Sequence, residues 1–179
     1  MGTSPCFYDL LQTSLGWVGV LASPKGLRRV TVPRETPGEA LAALGPELAQ
    51  AQRRVGALEG LRQRLQNSFQ GEEPAAEEAL DLEGAPPFSR AVWEACRTIP
   101  RGETRSYAWL AAAAGRPGAA RAVGQAMARN PIALLIPCHR VVRTDGSLGG
   151  YTGGLGLKAA LLQSEGWTGV AVDPHVHEE

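Results

Sequence analysis

Of the three cysteines in this 179-residue chain, Cys6, Cys96 and Cys138, one stands where it could be reactive. Cys138 follows Pro137 and is followed at once by His139 and Arg140. The thiolate is the nucleophilic form of cysteine, and positive or proton-accepting neighbours favour it. Adjacent residues on a strand point to opposite faces, so proton transfer from Cys138 to His139 requires a turn or a bridging water. The other two cysteines read as small buried hydrophobes. No metal is expected, because no second Cys/His pair at ligand spacing accompanies the first. His175 and His177 sit in a polar tail and read as solvated.

A second constellation lies shortly before the cysteine. Arg121, Gln125 and Arg129 recur every fourth residue, so they share one face of a helix expected from about Pro117 to Arg129. Gly118, Ala119, Ala120, Ala122 and Gly124 surround that row. Gly124 costs about 1 kcal/mol in a helix interior and asks for a reason. Either a closely packed partner or a nucleic-acid groove supplies one. With one polar row, such a helix is better equipped for shape and phosphate binding than for a base code.

The elements around these residues follow from pattern. Ser106 can cap a helix over Tyr107–Ala114 that Gly115 ends, and Asn130-Pro131 stops the next one. Two short helices about a tight turn fit a helix-turn-helix or an ordinary helical hairpin. Before them, Phe88, Val92 and Cys96 line a helix ending near Pro100. Nearer the N-terminus, the β-prone runs Phe7–Thr13, Trp17–Ala22 and Leu27–Val32 are separated by turn residues and read as a meander. Leu48, Val55, Leu58, Leu61, Leu65 and Phe69 then recur at helical spacing, with Pro46 in the first turn. The stretch 71–87 carries six acids, three prolines and no base, and reads as a linker between an α/β unit over 1–70 and a mostly helical unit over 88–170.

Charge divides the chain in the same place. Residues 87–158 hold ten Lys/Arg against three Asp/Glu, a net of +7, whereas 1–86 hold eight against eleven, a net of −3. Such a field attracts polyanions, and a solvated face reads equally well. Hydrophobic residues make up 44% and charged residues 20%, which excludes disorder or a coiled coil for the chain as a whole. The longest aliphatic run, Ile132 to Ile136, is far short of the ~20 residues that span a bilayer. With no basic-then-apolar opening and an odd, sparse cysteine set, a cytoplasmic protein without disulfides is the expectation.

Taken in order, these motifs resemble one family. Pro100-Arg101-Gly102 with Ser106-Tyr107, Arg121-Ala122-Val123-Gly124 with Asn130-Pro131, Ile136-Pro137-Cys138-His139-Arg140-Val141-Val142, Gly150-Tyr151-Thr152-Gly153-Gly154 with Lys158, and Glu165-Gly166 are similar to the O6-alkylguanine-DNA alkyltransferases, the methylated-DNA–protein-cysteine methyltransferases. The resemblance runs from about Phe88 to Gly166 and is looser over the N-terminal strands.

It implies an RNase-H-like α/β scaffold followed by a helical domain with a helix-turn-helix that enters the minor groove of double-stranded DNA. Ala120, Ala122, Gln125 and Arg129 would face the DNA. Arg121 would take the place of an O6-alkylguanine extruded from the stack. Cys138 would accept the alkyl group, His139 would act as base through water, Glu165 would orient His139, and Tyr107 would protonate the departing guanine. Asn130 would fix the turn ahead of the active site, and Val141, Tyr151, Thr152 and Lys158 would form the guanine pocket. The implied protein is a cofactor-free monomer that acts once per molecule. Some members carry a small residue at the place of Gln125. Some bind a structural zinc in the N-terminal domain, a site that Cys6 alone, with no histidine near, does not support. A non-catalytic lesion binder of the same fold and a Cys-His hydrolase are the rivals.

Overall fold

A computed structural model of the chain describes residues 5–72, 78–169 and Asp173; His175 and His177 lie outside the described residues. The chain forms two units, Met1–Glu83 with Pro131–Ala133, and Gly84–Asn130 with Leu134–Glu179.

The first unit is built on a sheet in the order β3-β2-β1-β4. β1 (Phe7–Thr13), β2 (Gly16–Ser23) and β3 (Gly26–Val30) form the antiparallel meander that the turn residues dictate, and β4 (Gln52–Arg53) adds parallel to β1. From Val18 to Ser23, β2 is buried on both faces. α1 (Pro37–Ala42) starts at a capping box in which Thr36 and Glu39 bond each other's backbone N–H, with Pro37 as its first residue. Its approach depends on Gly19, where a Cβ would lie 2.7 Å from the Ala40 carbonyl oxygen.

The helix expected from Pro46 to Phe69 is broken. Pro46–Gln50 is a 3-10 turn, Gln52–Arg53 is β4, and only α2 (Glu59–Phe69) is regular. The Gln52 and Arg54 N–H groups bond the Cys6 and Tyr8 carbonyls, Gly56 takes φ +80, and Val55 is 79% exposed. Part of the stretch read as a linker belongs to this unit. Leu27 N–H bonds the Ala79 carbonyl, Asp81 N–H bonds the Leu27 carbonyl, and Asp81 is buried among Ser23 and Arg28. Pro131–Ala133 pairs with Val30 through both of its backbone groups.

In the second unit, α3 (Pro87–Cys96), α4 (Tyr107–Ala113) and α5 (Ala120–Ala128) pack around Val92, Trp93, Leu110, Val123 and Met127. The Trp93 indole N–H donates to the Ala126 carbonyl at 2.9 Å, tying α3 to α5. The Ser106 hydroxyl accepts from Trp109 N–H as the cap of α4, and Gly115 follows that helix with φ +86. α5 begins three residues later than the sequence suggests, because Gly118 at φ +84 keeps the chain out of helical geometry. β5 (Arg105–Ser106) and β6 (Val141–Val142) form a short parallel pair, and α6 (Leu155–Ser164) follows. No helix among the described residues is long and apolar enough to cross a membrane.

Candidate active site

The reactive stretch is a turn, not a strand. Pro137 holds φ −79 and ψ 65, and Cys138 N–H bonds the Ile136 carbonyl at 2.7 Å, which makes an inverse γ-turn centred on proline. One 3-10 turn over Cys138–Arg140 follows, closed by Arg140 N–H on the Pro137 carbonyl at 2.9 Å. β6 leaves this turn and pairs with β5, so that Ser106 lies opposite Val142. The base of Tyr107 is thereby brought beside the cysteine turn by a strand pair only two residues long.

Behind the turn lies a buried polar cluster. His139 Nε2 meets Glu165 Oε1 at 3.0 Å. Arg140 clamps the same carboxylate, with Nε on Oε2 at 2.9 Å and Nη2 on Oε1 at 2.8 Å, and its Nη1 donates to the Ile99 carbonyl at 2.7 Å. Burial pushes the Glu165 carboxyl up, but hydrogen bonds from His139 and Arg140 overcome it and hold the group down at about 2. Burial lowers His139, against the opposing pull of Glu165. The imidazole is therefore neutral at pH 7, with Nε2 protonated toward the carboxylate. Its Nδ1 is buried without a hydrogen-bond partner among the described residues.

Cys138 itself rests as a thiol. Burial raises its pKa, opposed by a hydrogen bond from Asn130 and the charge of Lys158. Basic neighbours do not suffice to make a standing thiolate, so any attack by this sulfur requires removal of its proton. Asn130 also donates from Nδ2 to the Ile136 carbonyl at 2.9 Å, at the entry to the γ-turn. Lys158 is fully buried, and its ammonium donates to the carbonyls of Val141 (2.6 Å), Leu148 and Gly150 (3.3 Å). Burial lowers it to about 8. It thus staples the loop 148–150 to β6.

Cys138 opens onto a cleft of about 620 Å³. Of the residues singled out by sequence, Tyr107, Ala120, Arg121, Tyr151 and Thr152 line it with the cysteine. His139, Glu165, Asn130, Val141 and Lys158 are not among the lining residues, and neither are Ala122, Gln125 and Arg129. Gln125 on α5 and Arg129 at its C-cap are exposed, as is Arg121. The Tyr151 hydroxyl is buried beside the Cys138 sulfur, and burial together with that sulfur pushes its pKa up. Burial raises Tyr107 as well.

Sequence reasoning left three contributors unassigned. The Arg140 clamp on Glu165 joins residues 25 apart in the chain, and no local pattern signals it. Gly149 cradles Tyr107: at φ +70, a Cβ there would lie 3.0 Å from the phenol oxygen. Arg143 lines the cleft from the loop after β6. Gly124 also lines it, and a Cβ there would meet nothing within 4 Å, so packing inside the chain does not account for this glycine.

Comparison with known proteins agrees in one direction. Residues 87–167 match the family model of the 6-O-methylguanine DNA methyltransferase, DNA binding domain. The crystal structure of Mycobacterium tuberculosis OGT in complex with DNA superposes with a TM-score of 0.77 and 37% identity, covering 89% of this chain and 92% of that one. The chain belongs to the methylated-DNA–protein-cysteine methyltransferase family. Proteins of that name from Mycobacterium bovis and Salmonella typhimurium are 50% identical over 110 residues and 46% identical over 108 residues. Those segments cover 62% and 60% of this chain and span 66% and 63% of the two relatives' lengths. The mixed α/β architecture is shared with this methyltransferase family.

Proposed function

We propose that the chain repairs DNA by moving an alkyl group from O6 of guanine to Cys138, once per molecule. The observation that carries this reading is Cys138 at the wall of an open cleft, backed by a neutral histidine whose free Nδ1 is oriented by the His139–Glu165 contact. The damaged base enters the cleft after leaving the stack. The Cys138 proton passes to His139 Nδ1 through water, and the sulfur attacks the alkyl carbon as the C–O6 bond breaks. The bonding pair goes to the guanine, and Tyr107 gives a proton to a ring nitrogen so that anionic charge does not accumulate. The resulting imidazolium and phenolate re-equilibrate through solvent, and a thioether remains.

Glu165 stays ionised and stabilises the imidazolium, while Arg140 keeps the carboxylate charged and fixed. Asn130 and Lys158 act as positioning groups for the turn and the loop, and Tyr151, Thr152 and the Val141 backbone shape the guanine pocket. α4 and α5 serve as a helix-turn-helix, with Arg121 filling the gap left by the base, and Ala120, Ala122, Gln125 and Arg129 against the DNA. The small side chains and the unexplained Gly124 support a close external surface. The first unit is read as an RNase-H-like scaffold, and 71–87 as the segment that joins it to 88–170.

Incubation with duplex DNA carrying a labelled methyl group on guanine O6 tests the reading. One label per molecule, in a single phase on Cys138, is expected. Retention of the label on bound DNA would point to a non-catalytic binder, and multiple turnovers would defeat the single-use scheme.

A further inference from the structure

Two cationic side chains line the cleft, Arg121 from α5 and Arg143 from the loop that follows β6. The reading above gives Arg121 to the base stack, which leaves Arg143 without a task. Its guanidinium is exposed and makes no hydrogen bond or ion pair to a described side chain. Its backbone, in contrast, is pinned: Arg143 N–H bonds the Ser147 carbonyl at 2.9 Å, and Gly146 N–H bonds the Arg143 carbonyl at 2.9 Å. Asp145 is the nearby acid, and its Oδ1 is already taken by the N–H (2.9 Å) and hydroxyl (2.6 Å) of Ser147. A fixed turn thus holds a free guanidinium on the wall that also carries Cys138 and Tyr107. Its charge reaches inward, lowering Tyr107 against the larger upward effect of burial.

An extruded nucleotide brings its flanking phosphates to the mouth of such a cleft. Guanidinium forks match phosphate oxygens in geometry as well as charge. We infer that Arg143 clamps a backbone phosphate of the extruded nucleotide, a role that rests on the repair reading above. The clamp acts on DNA rather than on the base, so it contributes to capture of duplex substrate and little to the displacement at sulfur.

The test compares Arg143→Ala and Arg143→Lys with the unaltered chain. Binding to a short duplex containing O6-methylguanine is measured by anisotropy across a salt series, and alkyl transfer is measured from that duplex and from free O6-methylguanine base. Each phosphate contact contributes about 0.9 to the slope of log affinity on log salt. Arg143→Ala should flatten that slope by about one and weaken duplex binding about tenfold. The loss in transfer should be far larger on duplex than on free base. Arg143→Lys should restore the slope but only part of the rate. An unchanged slope, or equal losses on duplex and free base, would overturn the clamp. Failure of the unaltered chain to transfer any label would instead count against the repair reading, because the binding slope is read separately.

Discussion

Each unit contains a buried carboxylate gripped by an arginine and a neutral donor, and the two differ in what the donor does next. In the first, Asp81 Oδ2 accepts from the Ser23 hydroxyl at 2.6 Å and from Arg28 Nη1 at 3.0 Å. In the second, Glu165 accepts from His139 at 3.0 Å and from Arg140 at 2.8 and 2.9 Å. Burial pushes both carboxyls up and the hydrogen bonds bring both below their ordinary values. The Ser23 oxygen turns back to its own loop, accepting from Lys25 N–H at 3.1 Å and reaching the Gly26 carbonyl at 3.5 Å. His139 instead has a second nitrogen, unpartnered among the described residues, on the turn that carries the cysteine. The same electrostatic device closes on its own loop in one place and leaves an open proton acceptor beside a cysteine in the other. A buried ion pair alone therefore does not mark an active site; the open proton acceptor beside Cys138 is what singles out the second cluster as the candidate.

Removing the nucleophile gives the largest effect. Cys138→Ser should abolish transfer while lesion binding survives, because the exposed row of α5 is untouched. Labelling of that variant would move the chemistry to Cys6 or Cys96. Next comes the contrast between the carboxylates. Glu165→Gln should slow transfer about 100-fold, within the usual range for a general-base system. Asp81→Asn should leave the rate per folded molecule unchanged and lower thermal stability, by about 1–3 kcal/mol. Equal effects on rate would erase the distinction between brace and relay.

Acid separates them again. Glu165 is ionised down to about pH 2 when folded but only to its ordinary 4.5 when unfolded. The sign follows: its contribution is complete above the unfolded value and is lost as pH falls from 4.5 toward 2. The difference amounts to on the order of 3 kcal/mol. His139, lowered by burial, acts in the same sense as pH falls below its ordinary 6.5. Urea unfolding over this range should show a steep acid decline that Glu165→Gln flattens. A profile that the substitution leaves untouched would mean that the cluster is not coupled to folding.

The legible parts of this molecule are the local ones. The meander, the Ser106 cap and the Gly115 stop are set by residues a few positions apart, and the structure places them where those residues suggest. The Pro46–Phe69 periodicity misleads because β4 takes its backbone pairs from β1, a long-range gain that outweighs helix propensity. At the site, the flanking His139 and Arg140 single out Cys138 locally, whereas Glu165 enters only through resemblance. The Arg140 clamp, the Gly149 cradle and the two-residue β5–β6 pair depend on contacts between distant segments, which no spacing rule reports.

Two glycines in ordinary backbone conformations give the finest form of the comparison. Gly19 of the first unit is demanded by the fold, since a Cβ would lie 2.7 Å from the Ala40 carbonyl oxygen. Gly124 of the second is not, since a Cβ there meets nothing within 4 Å. Alanine in a helix interior is favoured over glycine by about 1 kcal/mol. Gly124→Ala should therefore stabilise the free chain by up to about that amount, while Gly19→Ala destabilises it. If a DNA surface is what Gly124 accommodates, the same stabilising change should weaken capture and repair of duplex substrate and spare the reaction with free alkylguanine. The two signs oppose each other, so a general loss of folding cannot imitate the result. A Gly124→Ala protein that melted higher and repaired duplex DNA at the original rate would show that the glycine answers to neither partner, and the close approach of α5 to DNA would have to be given up.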